Sequence, residues 1–265
     1  MATALAGGLA SARVVSSDQI AASDVSPEAL AAFVGQTGGR AVASNRELVA
    51  GSDVIVLSVK PQMAAGVMSE IAEEMDESKL LVSIVAGLPL AALARELPGG
   101  RLVRVMPNTP CLIGAGASAF SLGRGTTADD GQLVQQLMSA VGTCLSLDER
   151  LMDAVTGLSG SGPAFVYAMI EAMSDGGVKA GLPRVAATQL AAATVAGAAR
   201  MVMETGEHPG ALKDQVTSPA GTTIAGLAEL ENRGLRGALI EAVNAAAGRA
   251  GELAEQANAV QRTSK

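Results

Sequence analysis

Apolar positions change their rhythm near the middle of this 265-residue chain. In the first half, short runs rich in β-branched residues alternate with stretches of helical spacing. Residues 54–59, 80–85 and 102–106 are apolar on both faces, as strands buried in a parallel sheet are. A shorter run at 19–23 ends in polar residues. Helical spacing occupies 63–75 and 90–97, and Ser26-Pro27-Glu28 opens another helix, with serine as cap and proline next, running to about Val34. Strands alternating with helices predict an open parallel sheet. Sites in such sheets gather at the carboxyl ends of the strands. Those ends carry Lys60-Pro61-Gln62, Ala86-Gly87 and Pro107-Asn108-Thr109-Pro110.

After Asp148 the strand pattern stops. Helices are predicted from Pro163 to Ser174, closed by Gly176-Gly177, from Pro183 to near Thr205, after Thr222, and from about Leu235 to Ala259. The pattern divides the chain into an α/β domain at 1–148 and an all-α domain at 149–265.

Two segments look like helix entrances open to an anion. One is the run from Asp153 to Ala164, with Gly157-Leu158-Ser159-Gly160-Ser161-Gly162-Pro163 at its centre. The other is Thr217-Ser218-Pro219-Ala220-Gly221-Thr222-Thr223. Proline in a first helical turn loses no amide bond, glycines let a ligand approach the backbone, and free amides there favour carboxylate or phosphate. A pair of them suggests a small acidic substrate. The alternative is that both serines are ordinary N-caps.

Composition narrows the chemistry. Hydrophobic residues are 49% and aromatics 2%, so the core must come from Ala, Val, Leu, Ile and Met. A net charge of −7 with few aromatic platforms argues against nucleic acid. The two cysteines, Cys111 and Cys144, and the single His208 give no basis for a metal site, a disulfide framework or a His-containing triad. Chemistry must run on hydroxyls, carboxylates, lysines, backbone amides or a cofactor. No apolar run is read as membrane-spanning, and the apolar start lacks the basic leader of a signal peptide, so the expected location is cytoplasmic, with no membrane partner.

The chain resembles the pyrroline-5-carboxylate reductases. The blocks that carry the likeness are Val59-Lys60-Pro61, Met106-Pro107-Asn108-Thr109-Pro110, Asp153 through Ala164, Asp175-Gly176-Gly177-Val178-Lys179, Gly181-Leu182-Pro183-Arg184, His208-Pro209-Gly210-Ala211-Leu212-Lys213-Asp214 and Ser218 through Ile224. They cover nearly the whole chain, in order. The resemblance implies a Rossmann-type parallel sheet domain followed by an all-α dimerisation domain. It implies reduction of 1-pyrroline-5-carboxylate to L-proline by NADPH, with NADH as the alternative cofactor, in a homodimer that assembles to a decamer. One departure stands out. The family opens with a strand and a Gly-x-Gly turn before Ala-x-Ala-Leu, and this chain starts at Met1-Ala2-Thr3-Ala4-Leu5. The expectation is that Met1 is an internal methionine and that the working protein carries that first strand.

By the family pattern, the amides of Met1 and Ala2 face the cofactor pyrophosphate, and Ser23 and Asn45 contact its adenosine end. Asp24 beside Ser23 complicates a 2′-phosphate. Val59, Lys60, Pro61, Ala86, Gly87 and Asn108 line the nicotinamide side, with Gln215 near the cofactor. Thr222 and Thr223 hold the substrate carboxylate and ring nitrogen, Ser218 supports their loop, and Glu149 lies near the substrate. Thr223 and Ser218 are the catalytic candidates. Lys179 and Lys213 read as structural or carboxylate-orienting, and His208 as a loop or capping residue. Two other readings remain open: a two-domain hydroxyacid-type dehydrogenase using Lys179, and a non-catalytic helical oligomer.

Overall fold

The structure is a computed structural model that describes residues 1–263. The chain folds as two compact units. The first comprises 1–161 together with 244–265, and the second 162–243. The first unit runs past the expected 148/149 boundary to residue 161, and the chain rejoins it at 244, inside the last helix.

In the first unit, helix α1 (Ala2–Ser11) precedes strand β1 (Ala21–Ala22), α2 (Pro27–Thr37), strand β2 (Arg40–Ala41), α3 (Asn45–Ala50), β3 (Val54–Leu57), α4 (Pro61–Ile71), β4 (Leu80–Ser83), α5 (Leu90–Glu96) and β5 (Arg101–Met106). Then come β6 (Gly116–Leu122), α6 (Ala128–Ser139), β7 (Gly142–Ser146) and α7 (Met152–Val155). Five strands form one sheet in the order β3-β4-β5-β6-β7. Strands β3, β4 and β5 run parallel, β6 is antiparallel to β5, and β7 is parallel to β6. The sheet is mostly parallel, as expected, with one antiparallel pairing, between β5 and β6. Strands β1 and β2 pair parallel in a separate sheet. The break falls between β1 and β3, where the order 3-2-1-4-5-6 places its first strand.

Successive side chains alternate between two buried layers, as the two-residue strand period requires. Leu81 and Leu102 join Val49, Ile55, Met68, Ile71 and Leu93 beneath α4 and α5. Leu80, Val82, Val103 and Val105 join Leu5, Phe120, Val134 and Met138 beneath α1 and α6. Each fully buried Leu contributes about 1.5–3 kcal/mol of transfer free energy. Both cysteines are reduced and buried in the second layer. Burial, helped by the neighbouring Cys111 thiol, pushes the Cys144 thiol up to about 11.

Local signals explain the helix ends. The Ser26 hydroxyl accepts the Ala29 amide, Pro27 opens α2, and Gly38 closes it at φ 70°. That closure lies beyond Val34, the predicted end. Thr127 and Asp130 form a reciprocal capping box at the start of α6. Burial pushes the Asp130 carboxyl up, but the Thr127 amide and hydroxyl and the Arg101 guanidinium outweigh it and hold it below its ordinary value.

The second unit is helical: α8 (Gly162–Lys179), α9 (Arg184–Thr205), α10 (Pro209–Gln215), α11 (Thr222–Asn232) and the start of α12 (Leu235–Thr263). Gly176 and Gly177 do not close α8, which runs through both to Lys179. A Cβ on Gly177 would stand 3.1 Å from the Ala187 Cβ, so this glycine lets α8 and α9 approach closely. Arg184 Nη1 donates to the Ser174 hydroxyl across the same seam, and Thr188 and Ser174 share a hydrogen bond. Against expectation, α9 is long and apolar enough, by length and composition, to cross a membrane. It exposes Val185, Leu190 and Met203.

Candidate active site

Parallel alignment brings six of the proposed cofactor residues to one sheet edge. Val59, Lys60 and Pro61 follow β3, Ala86 and Gly87 follow β4, and Asn108 follows β5. Pro61 occupies the first position of α4, where a missing amide costs nothing. Gly87 holds φ +72°, a left-handed conformation that favours glycine. Ser23 follows β1, and Met1 sits at the N-cap of α1 with no side-chain cap, leaving the opening amides of Ala2 and its neighbours for another acceptor. Asn45 opens α3, and its amide donates to Glu70 of α4 at 2.8 Å. The Asp24 carboxylate accepts the Ser26 amide at 2.8 Å, so it is engaged within its own turn. These open amides, hydroxyls and the exposed Lys60 fit an anionic dinucleotide lying along the strand ends.

Two of the proposed ligand contacts are taken up by the frame. The Asn108 side chain is buried; its Oδ1 accepts from the Ala117 amide at 2.9 Å and its Nδ2 donates to the Ser159 carbonyl at 3.1 Å. Glu149 Oε1 accepts the Leu90 amide at 2.6 Å and lies 3.3 Å from Arg104 Nη1. It serves the loop after β4, where a direct substrate contact was expected. Arg104 was missed in the sequence, although a charge between Val103 and Val105 in an apolar strand was the available signal.

The first of the two expected helix entrances is not an entrance. Thr156–Gly160 forms a π-helical turn after α7, and Ser161, at φ −87° and ψ −25°, keeps a helical backbone before α8. The Ser161 amide bonds back to the Thr156 carbonyl at 2.8 Å, so it is not free for a ligand. Pro163 has no proton to give the carbonyl four residues earlier, that of Ser159, and Asn108 supplies the donor instead. Gly160 packs against another element: a Cβ there would come within 2.6 Å of the Met106 Cε, the mobile end of that side chain.

The second segment is a true helix start. Gly221 is the N-cap of α11, with no side-chain cap, and Thr222 and Thr223 fill the first turn. Its amide is used by the Ser218 carbonyl at 3.1 Å, which folds Ser218 under the loop. Ala220 holds φ +54°, a strained value for a residue with a Cβ. The opening amides of α11 and the Thr223 hydroxyl make a compact set of donors for a small carboxylate. Gln215 ends α10 and donates to Glu207 at 2.7 Å. His208 caps α10, accepting the Gly210 amide at Nδ1, as a capping residue should. Lys179 lies in the last turn of α8, a position that complements the helix dipole. Among the described residues, no group of three or more His, Cys, Asp and Glu could hold a metal ion.

Comparison with known proteins identifies the family. Residues 149–253 match the family model described as pyrroline-5-carboxylate reductase dimerisation, and residues 1–87 match that described as NADP oxidoreductase, coenzyme F420-dependent. The pyrroline-5-carboxylate reductase of Glycine max is 53% identical over 79% of this chain and 77% of its own length. That of Methanosarcina acetivorans is 46% identical over 97% of this chain and 95% of its own. The solved pyrroline-5-carboxylate reductase of Coxiella burnetii superposes with a TM-score of 0.89 at 32% identity, covering 95% of this chain and 94% of that one. The Plasmodium falciparum enzyme, solved with NADP bound, superposes at 0.84 with 34% identity, covering 95% and 93%. On these relationships and the motifs they span, the chain belongs to the pyrroline-5-carboxylate reductase family.

Proposed function

We propose that this protein reduces 1-pyrroline-5-carboxylate to L-proline with NADPH, the last step of proline biosynthesis. The observation that carries the reading is 46% identity to such a reductase across 97% of the chain. The open start of α11 supports it from the side of the chemistry.

A bound dihydronicotinamide would supply the hydride for the imine carbon, and the protein's task is positioning and charge stabilisation. The strand-end residues Val59, Lys60, Pro61, Ala86 and Gly87 border the nicotinamide, and Ser23 and Asn45 the adenosine end. Ser23 with an internally engaged Asp24 favours NADPH over NADH. Amides at Thr222 and Thr223 hold the substrate carboxylate. The Thr223 hydroxyl accepts a hydrogen bond from the protonated ring nitrogen, which keeps its proton as the iminium becomes a secondary amine. Ser218 fixes the loop that presents them.

The exposed apolar side chains of α9 and the match of 149–253 to a dimerisation family support a homodimer, and we extend this to a decamer. We place the reaction in the cytoplasm, where two buried free thiols stay reduced. A reductase assay following loss of dihydronicotinamide absorbance tests the activity. Turnover of 1-pyrroline-5-carboxylate, faster with NADPH than NADH, is expected. Turnover of a keto acid but not of the cyclic imine would overturn the proposal.

A further inference from the structure

Arg104 carries its charge in the middle of β5, with its side chain 7% exposed. By strand alternation it shares the face of Leu102, the layer beneath α4 and α5. Its guanidinium meets two carboxylates, Glu149 through Nη1 at 3.3 Å and Asp153 through Nη2 at 3.6 Å. The Glu149 oxygen that faces Arg104 is the one that accepts the Leu90 amide. Leu90 is the first residue of α5 and directly follows the 86–89 loop. Glu149 itself is 32% exposed, so without Arg104 its carboxylate has room to turn toward water. A buried guanidinium with bidentate capacity is suited to fixing such an anion in one orientation.

We propose that Arg104 is a positioning residue for hydride transfer: it pins the Glu149 carboxylate on the Leu90 amide and thereby fixes the loop carrying Ala86 and Gly87. The inference rests on the reading of that loop as the nicotinamide border. Small displacements of a reacting group cost rate far more than they cost binding, so the signature is in kcat.

The full-length protein is compared with Glu149→Gln, Arg104→Lys, Arg104→Met and the Arg104→Met/Glu149→Gln double variant. Readouts are kcat, both KM values, NADPH affinity by fluorescence titration, and hydrogen exchange across 84–93. Glu149→Gln keeps an acceptor for Leu90 but loses the ion pair, so it should fold and lose about 10-fold in kcat. KM for 1-pyrroline-5-carboxylate and NADPH affinity should stay within about 2-fold, and exchange across 84–93 should quicken. Arg104→Met should lose more, Arg104→Lys less, and the double variant should be no worse than Arg104→Met alone. Should Arg104→Met fail to fold, Glu149→Gln decides by itself. An unchanged kcat in Glu149→Gln, or a raised KM for the imine with kcat intact, overturns the proposal. If the parent binds NADPH but does not reduce the imine, the functional reading fails, and the exchange data alone judge the clamp: faster exchange in Glu149→Gln supports it and unchanged exchange overturns it.

Discussion

The segments 153–164 and 217–223 look alike in composition, yet they fold oppositely. Both hold glycine, serine and a proline before an apolar run. In the first, the backbone stays helical through a π-helical turn, the Ser161 amide is used, and a side chain from another element satisfies the carbonyl that Pro163 leaves without a donor. In the second, the backbone breaks at Ala220 and Gly221, and the helix begins with open amides. What separates them is what lies alongside. Asn108 and Met106 stand against the first segment, whereas the second turns on its own Ser218. A glycine-proline cluster therefore reports a special backbone, and neighbours decide whether that backbone binds or packs.

The largest expected effect tests this division of labour. Thr223→Ala should lower kcat/KM for 1-pyrroline-5-carboxylate by about 100-fold, the size expected for a lost hydrogen-bond partner at a reacting centre. Ser159→Ala should leave it nearly untouched, because that hydroxyl bonds back to the Val155 carbonyl within its own helix. Equal losses in steady-state kinetics would erase the distinction. Next in size, Asn108→Ala strands the Ser159 carbonyl and the Ala117 amide and should cost about 2–4 kcal/mol in urea unfolding. Adding Pro163→Ala restores a helical donor to Ser159 and should recover about 1 kcal/mol. No recovery would mean that the proline does not explain the tether.

A helix start closed by side chains sharpens the contrast with the open one at Gly221. The Asp130 carboxyl is held below its ordinary value in the folded state. Its contribution is therefore complete above the unfolded carboxylate value and is lost as pH falls through the folded one. Asp130→Asn should cost about 1 kcal/mol at neutral pH and progressively less in acid. A pH-independent difference in unfolding free energy would rule this out. The smallest effect belongs to Ala220→Gly, which should relieve left-handed strain and raise stability by about 0.5–1 kcal/mol, visible as a rise in Tm. A fall in Tm would show that Ala220 carries no strain.

Strands β3, β4 and β5 were legible because Val, Ile and Leu dominate each of them, and in β4 and β5 both faces are buried. Strand β6, Gly-Ala-Ser-Ala-Phe-Ser-Leu, was not, since small and polar residues give no strand rhythm and only pairing on both sides makes it one. The strand-end loops of the cofactor site and the start of α11 were readable from their turn residues. The frame behind them was not. Glu149 and Asn108 contact residues 59 and 51 positions away in sequence, and only the folded sheet shows that their polar atoms are already spoken for.

Burial that pushes the Cys144 thiol up to about 11 keeps it protonated at neutral pH. Alkylating reagents act on thiolate, so the folded protein should leave Cys144 unlabelled until the sheet opens. In a chain without tryptophan, the rate at which that cysteine takes up label then becomes a clock for unfolding.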